Sequence, residues 1–439
     1  MTYKALTAGL VALVSLVAVE YLAVAIAMPV VAKELDGMRL YGLAFSGAIA
    51  AGVVGTVLGG RWADLRGPRG PLWAGVIGFV AGLVLAGLAG SMEVLIAGRL
   101  VQGFGGALVT VSLYVVVARV YPEHLHPKIF SLFATAWVVP SMAGPALVGV
   151  VVDTIGWRWV FLGVPLLTVP AVLLLWRGLA GRPVTGGQAE PAPGLLVKTG
   201  WAALTAVGAG LVQYGGEGRT LLLVAGFVVL AVALPRLLPK GTLRAARGLP
   251  AVVALRGLAA GAFFAAEVLV PLMLVKERGL SPFLAGLALT GGALTWSLAS
   301  WLQGREVFSR AVNLRGGMAA LALGFVLMGV VTLPGVSVAL AYPSWIVAGF
   351  GMGLIYPTLS VLTLELSEPG EQGVNSSALQ VGENVFSVVA VAVTGALFAA
   401  IGSGYWAVFA FALVMALIGL WAAPRFRTTP LAEPAAVQG

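Results

Sequence analysis

The sequence has no cysteine and only two histidines, His124 and His126. The first absence excludes disulfides, thiolate metal ligands and cysteine nucleophiles, and the second leaves a histidine metal site short of ligands. Charge is nearly as scarce: charged residues make up 10% of the 439 and hydrophobic ones 60%, where a soluble domain carries about a quarter charged. A chain this apolar is solvated by lipid. No Gly-x-x-x-x-Gly-Lys-Ser/Thr loop is present, so ATP is not expected to drive it. With no nucleophile or metal set either, the chain is not expected to be an enzyme, and no cofactor or metal is expected. The formal charge of +9 sits singly or in small groups between apolar runs, which argues against a nucleic-acid partner.

What the chain has in abundance is long uncharged runs. Leu6 to Val19, Gly70 to Met92 and Gly316 to Ser344 are each near or beyond the roughly 20 residues a spanning helix needs. The first segment ends Ala25-Ile26-Ala27 like a cleavage site, but its apolar stretch is too long for a signal peptide and contains Glu20, so it is expected to stay as a helix. Hydropathy breaks predict fourteen spans: 5–31, 40–60, 71–91, 93–118, 129–152, 158–177, 199–216, 219–238, 250–274, 281–303, 315–334, 339–363, 375–400 and 404–423. With the N-terminus in the cytoplasm, nineteen Lys and Arg fall on that side, Arg256 among them, against six on the other, with Arg99 left inside the membrane. The positive-inside rule then puts both termini in the cytoplasm. Were the seventh and eighth spans, joined by Gly215-Gly216-Glu217-Gly218, to lie outside the membrane, twelve would remain with the same orientation.

The chain also repeats itself. Gly103-Phe104-Gly105 recurs as Gly349-Phe350-Gly351 at an offset of 246, Glu20 answers Glu267 at 247, and Gly60-Arg61 answers Gly304-Arg305 in about the same register. An offset of eight spans keeps the orientation, so the pattern predicts an all-α membrane protein with two six-helix bundles as parallel repeats and an inserted pair. The predicted boundaries are 1–180 and 241–424 for the bundles, 181–198 for a Gly- and Pro-rich linker, 199–240 for the inserted hairpin and 425–439 for a tail. Transporters with two such halves place the substrate between them near the midplane.

An ionisable group deep in a span needs a partner, a water-filled cavity or a function. Four qualify here: Glu20, Arg99, Glu267 and Glu383. Glu20 lies roughly 21 Å along its helix at about 1.5 Å per residue, too deep to snorkel. A movement of Arg99 or entry of water would let it load or release a proton; the alternative is a neutral Glu tying helices together. Glu383, with Gln380 and Asn384, forms a polar patch that is open between substrate binding, proton carriage and plain hydrogen bonding. Arg99 and Gly103 share a helical face, where the small residue admits another helix. The loop from Gly60 through Asp64 and Gly67 to Arg69 packs a carboxylate among guanidiniums, and an Asp64–Arg69 ion pair or Asp64 capping a neighbouring helix could lock one side. Pro140, Gly144, Pro145 and Gly149 predict a bent fifth span with close packing at glycine. Tyr21, Gln102, Trp137, Phe263, Phe264, Trp296, Gln380 and Phe386 are the candidates for lining a substrate cavity, the aromatics among them serving alternatively as packing and interfacial residues.

Together these runs resemble the major facilitator superfamily, in particular its fourteen-helix drug:proton antiporter branch. The loop resembles motif A at Gly60, Ala63, Asp64, Gly67 and Arg69, departing at Trp62, Leu65 and Pro68. Leu95, Arg99, Gln102, Gly103, Gly105 and Ala107 resemble motif B, which implies a proton-transfer role for Arg99. Gly144, Pro145 and Gly149 resemble the antiporter motif C, with Pro140 where its first glycine stands. Glu20 through Pro29 is similar to the branch's first-helix motif, with Glu for the usual Asp. The stretches Gly156 to Pro165 and Glu267 to Gly286 resemble the branch as well.

The resemblance implies a proton-driven exporter of hydrophobic small molecules, cationic ones included, working by alternating access. The expected setting is a bacterial cytoplasmic membrane, with lipid, protons and substrate as partners and a monomeric state. Export or flipping of an endogenous lipid or metabolite, uniport, and a sensor that binds without transporting are the competing readings.

Overall fold

The computed structural model is all-α and describes residues 3–37, 40–182, 195–215, 219–280, 282–401 and 404–427. Its helices are α1 (Lys4–Glu34), α2 (Tyr41–Arg66), α3 (Arg69–Gly87), α4 (Met92–Val120), α5 (His126–Thr135), α6 (Val138–Thr154), α7 (Arg158–Leu179) and α8 (Leu195–Gly215). The chain continues as α9 (Thr220–Leu237), α10 (Leu249–Glu267), α11 (Val270–Lys276), α12 (Pro282–Gly304), α13 (Arg310–Val331), α14 (Ala341–Glu365), α15 (Gln372–Ile401) and α16 (Tyr405–Ala422). In lipid a helix is how an apolar segment satisfies every backbone N–H and C=O by itself. Side chains such as Leu166, Leu221, Trp406 and Trp421 remain more than half exposed, as expected where lipid replaces water.

Among the described residues, ten helical stretches are long and apolar enough to cross a membrane, against fourteen predicted. The shortfalls are α2, the α5–α6 pair, α8 and α12. In α8 the side chains described are those of Leu196–Val212. In α2 and α12, residues 41–43, 45–46 and 282–283 fall outside the described side chains, and α2 runs into Arg61, Asp64 and Arg66. The α5–α6 span is broken at Ala136 and Trp137. Pro140 causes the break, because a proline removes the amide that would bond the carbonyl four residues back and its ring crowds that carbonyl, which belongs to Ala136. Pro271 does the same to the carbonyl of Glu267, where α10 stops and α11 begins after a two-residue turn.

The sequence repeat is visible in the packing. On α4, a Cβ at Gly103 would strike the backbone of Ala48 on α2, and one at Gly105 would lie 2.7 Å from the Gly75 carbonyl on α3. On α14, Gly349 meets Gly292 of α12 and Gly351 meets Gly317 of α13 in the same way. Each Gly-Phe-Gly thus lets one helix lie against two neighbours at backbone distance. The α8–α9 pair packs on itself, with Gly208 against Leu230 and Gly226 against Val212, and α8 lies on α2 and α15. Helices α2, α4 and α5 meet α12, α14 and α15 across a single seam. The large buried anchors are Trp157 and Phe161 on one side of that seam and Trp345, Phe325 and Phe409 on the other.

Candidate functional site

Glu20, Arg99 and Gln102 close on one another. Arg99 donates to Glu20 Oε1 in a buried ion pair and to Gln102 Oε1 at 2.5 Å, while Gln102 Nε2 donates to Glu20 Oε2 at 2.8 Å. Arg99 Nε reaches the Ala44 carbonyl of α2 at 3.4 Å. All three side chains are at most 5% exposed. The sequence-predicted pair therefore exists, and Gln102 is the third member rather than a cavity residue. A buried charge is tolerated only when paired and hydrogen-bonded, and here each Glu20 oxygen has one donor.

A second ion pair lies across the seam. Arg256 Nε donates to Glu383 Oε2 at 2.7 Å, Tyr356 Oη donates to Glu383 Oε1 at 3.2 Å, and the guanidinium sits 3.5 Å from the Tyr356 ring centroid. Arg256 also donates to the Tyr356 carbonyl at 3.0 Å. Ser360 Oγ continues the chain to Tyr114 Oη of α4 at 3.2 Å, linking the two groups of helices. Arg256 is 5% exposed within α10, which corrects its placement among the cytoplasmic loop charges. The signal was present: residue 256 lies inside the predicted span 250–274. Tyr114, Tyr356 and Ser360 carried no signal, because hydroxyls in an apolar run read as packing.

Glu267 behaves differently. It is half-buried at the end of α10, and among the described residues its carboxylate has no hydrogen bond or ion pair. Tyr21, close enough to feel its charge, is 57% exposed, and the 40% exposed Trp137 stands edge-on to Tyr21 at 6.1 Å. Both aromatics keep exposed surface. From there Phe264, Phe263 and Trp296 step inward at centroid spacings of 5.8 and 5.4 Å, and Trp296 meets Tyr356 at 5.0 Å. The Trp296 Nε1 is buried without a partner. Phe263, 3% exposed, is core. Phe386, half-buried, packs into the notch left by Gly257, where a Cβ would lie 2.6 Å from its ring. Gln380 is half-buried one turn before Glu383.

At the end of the molecule where α2 stops, Asp64 is fully buried against the start of α15. Its two oxygens accept the amides of Gly373 and Val374, each at 2.8 Å, and Arg119 stands 3.6 Å away. Of the two predicted roles for Asp64, this is the helix cap. The Asp64–Arg69 ion pair does not form, because Arg69 donates to the Leu179 and Arg182 carbonyls at 2.7 Å each. Gly60 and Gly373 touch through their backbones. Gly67 closes α2 with φ 85°, a left-handed conformation that glycine adopts freely. Asp64 lies beyond the predicted span, and burial pushes its carboxyl up to about 6 against the lowering effect of the two amides and Arg119. Its capped amides belong to the backbone and left no mark in the sequence.

Pro140 is buried in the first turn of α6. Gly144 and Pro145 lie within α6, their surroundings outside the described residues. Gly149 has nothing within 4 Å of a Cβ position, so the close packing predicted there is absent. A carboxylate held by one arginine, a second buried ion pair and an unpaired carboxylate beside exposed aromatics make an arrangement suited to exchanging a proton or a cation across a seam.

Residues 8–391 match the family model of the Major Facilitator Superfamily. The chain is 25% identical over 406 residues to the multidrug transporter protein MdtP of Bacillus subtilis, covering 89% of this chain and 74% of that one. It is 30% identical over 411 residues to a probable actinorhodin transporter of Streptomyces coelicolor, covering 85% and 68%. The human organic anion transporter MFSD10 (TETRAN) superposes with a TM-score of 0.75 at 12% identity, covering 96% of this chain and 100% of that one, a likeness of fold.

Proposed function

This chain belongs to the Major Facilitator Superfamily, a family of transporters and not enzymes, and from that premise we propose that it is a proton-coupled exporter of hydrophobic small molecules, including cationic ones. The observation that carries the reading is the closed Glu20–Arg99–Gln102 cluster. Protonating Glu20 removes the charge that Arg99 answers, and the guanidinium then keeps only neutral acceptors, Gln102 Oε1 and the Ala44 carbonyl. Discharging the proton restores the pair. Two states of one buried cluster, separated by one proton, are the minimum device for coupling.

Glu267 supplies the complementary element. An unpaired carboxylate beside Tyr21, Trp137 and Phe264 suits a lipophilic cation, with aromatic faces for the body and the carboxylate for the charge. The names of the multidrug transporter MdtP and the probable actinorhodin transporter support small organic molecules as cargo. In this reading two six-helix bundles, 1–180 and 241–424, rock about the seam, the α8–α9 hairpin is the inserted pair of a fourteen-span arrangement, and the linker and tail at 181–198 and 425–439 face the cytoplasm. The basic Asp64 end is then cytoplasmic in a bacterial inner membrane. Asp64 on the α15 amides holds that end shut, leaving Tyr21 and Glu267 open to the outside, the state that releases cargo.

The test is proton flux in liposomes, wild type beside Glu20→Gln, with an internal pH dye and a panel of lipophilic cations and neutral drugs. Substrate-dependent proton movement is expected in the wild type and absent in Glu20→Gln. Equal substrate movement in both without proton flux would replace coupling with uniport.

A further inference from the structure

The Asp64 end holds a second polar site that this transport reading does not use. A cavity of about 230 Å³ is lined by Pro127 of α5, Gln303 at the end of α12, Glu306, Phe308 and Ser309 of the following loop, and Arg310 and Asn313 of α13. Gln303 and Asn313 are 4% and 2% exposed, yet Gln303 Oε1 and Asn313 Oδ1 have no hydrogen-bond partner. Buried acceptors are normally satisfied; these two oxygens are sealed just behind the cavity wall, where a turn of either amide would present its oxygen to a donor inside. Glu306 adds a carboxylate and an anomaly: its φ of 54° is left-handed, where it ends α12 with its amide on the Gln303 carbonyl at 2.9 Å. Glycine is the usual residue at such a helix end, and a left-handed backbone at a non-glycine residue lining a cavity points to use.

The charge balance narrows the ligand. Arg310 is taken up by an ion pair with Glu365, and Glu123 and Glu306 both lie close enough to Glu365 to act on its charge. Three carboxylates therefore share one guanidinium. Arg305, the next basic residue, stacks over Trp301 at 3.8 Å instead. Among the described residues no group of three His, Cys, Asp or Glu could hold a metal ion, and a cavity of this size exceeds a bare ion. We propose that this pocket binds the primary ammonium group of a small amine, its N–H bonds directed to the Glu306 carboxylate and, as their amides turn inward to the cavity, to Gln303 Oε1 and Asn313 Oδ1. Pro127 belongs to one group of helices and the remaining walls to the other, so the occupant bridges the seam and favours the closed state at this end. Only the assignment of this end to the cytoplasm rests on the transport reading.

The ammonium can come from a free amine or from an ethanolamine lipid headgroup, and the experiment separates them. Calorimetry on the full-length protein in lipid-free detergent uses 1,4-diaminobutane, with its fully N-methylated analogue as control. Saturable diamine binding is expected, weakened at least tenfold by methylation, by Glu306→Gly and by the pair Gln303→Leu and Asn313→Leu. Glu306→Gly relieves the left-handed turn, so the protein folds and loss of binding reports the carboxylate. Glu267→Gln is expected to bind diamine as well as wild type; loss there would move the amine to the central cavity and overturn the site. In nanodiscs, a higher Tm with ethanolamine than with choline headgroups, lost in Glu306→Gly, would name the lipid as the source. Absence of diamine binding together with equal stability in both lipids, or equal binding by Glu306→Gly, overturns the proposal.

Discussion

Two crossings close the Asp64 end, and the repeat places a glycine at each. At the α2–α15 crossing Gly60 meets the Gly373 backbone; at the α12–α5 crossing Gly304 meets the side chain of Ser131, 2.6 Å from a Cβ position. The shape has been copied and the chemistry has not. Beside Gly60 stands Asp64, capping two amides; beside Gly304 the corresponding loop offers Glu306 and Phe308 around a cavity. Duplication preserved what close packing requires, while the charged latch stands at one crossing.

The buried ion pairs differ in the same way, and the difference sets the largest expected effect. Arg99 lies seven residues into α4, counted from the far end, whereas Arg256 lies seven residues into α10, counted from the Asp64 end. Arg256→Leu leaves Glu383 buried with Tyr356 alone and is expected to cost about 3 kcal/mol of stability, read by thermal unfolding in detergent. The double variant Arg256→Leu, Glu383→Leu should recover most of it; a double variant no better than the single would make the pair something other than a matched charge. Next, Gly60→Ala forces a methyl into backbone, while Gly304→Ala meets a serine that can turn aside. A distance probe across each crossing should show the closed population falling on the order of tenfold for Gly60→Ala and only about twofold for Gly304→Ala. Equal effects would mean that the crossings are equivalent after all.

The smallest effect tests the latch itself. The Asp64 carboxyl is raised to about 6 when capped, from an ordinary value near 3.8 once released, so the closed state binds the proton more tightly. Lowering the pH on that side from 7 to 5 should shift the equilibrium toward closed by up to about tenfold, and Asp64→Asn should abolish the dependence. A shift toward open on acidification would show that the carboxylate prefers the capped site ionised.

Much of the site was legible because lipid makes charge conspicuous. Glu20 and Arg99 had to find each other or water, and they found each other. Asp64 stood out as the carboxylate a merely basic loop does not need. Arg256 was passed over because charges near span ends were counted as loop, although its own span contained it. The capped amides of Gly373 and Val374 have no letter in the sequence. Gly149 misled because a glycine signals permission to approach, and no neighbour took it up. The count of crossing helices differs because the α5–α6 span is broken at Ala136 and Trp137, and because parts of α2, α8 and α12 lie outside the described residues.

Pro140 and Pro271 carry one more implication. Each interrupts its helix next to Trp137 or Glu267, so those side chains ride on elbows rather than on rods. A small tilt of the outer arm, α6 or α11, swings the elbow residue through a wide arc while the inner arm stays packed. On the exporter reading proposed for this chain, cargo geometry would thereby be uncoupled from the stiffness of the seam, and one rigid rocking motion would serve molecules of many shapes.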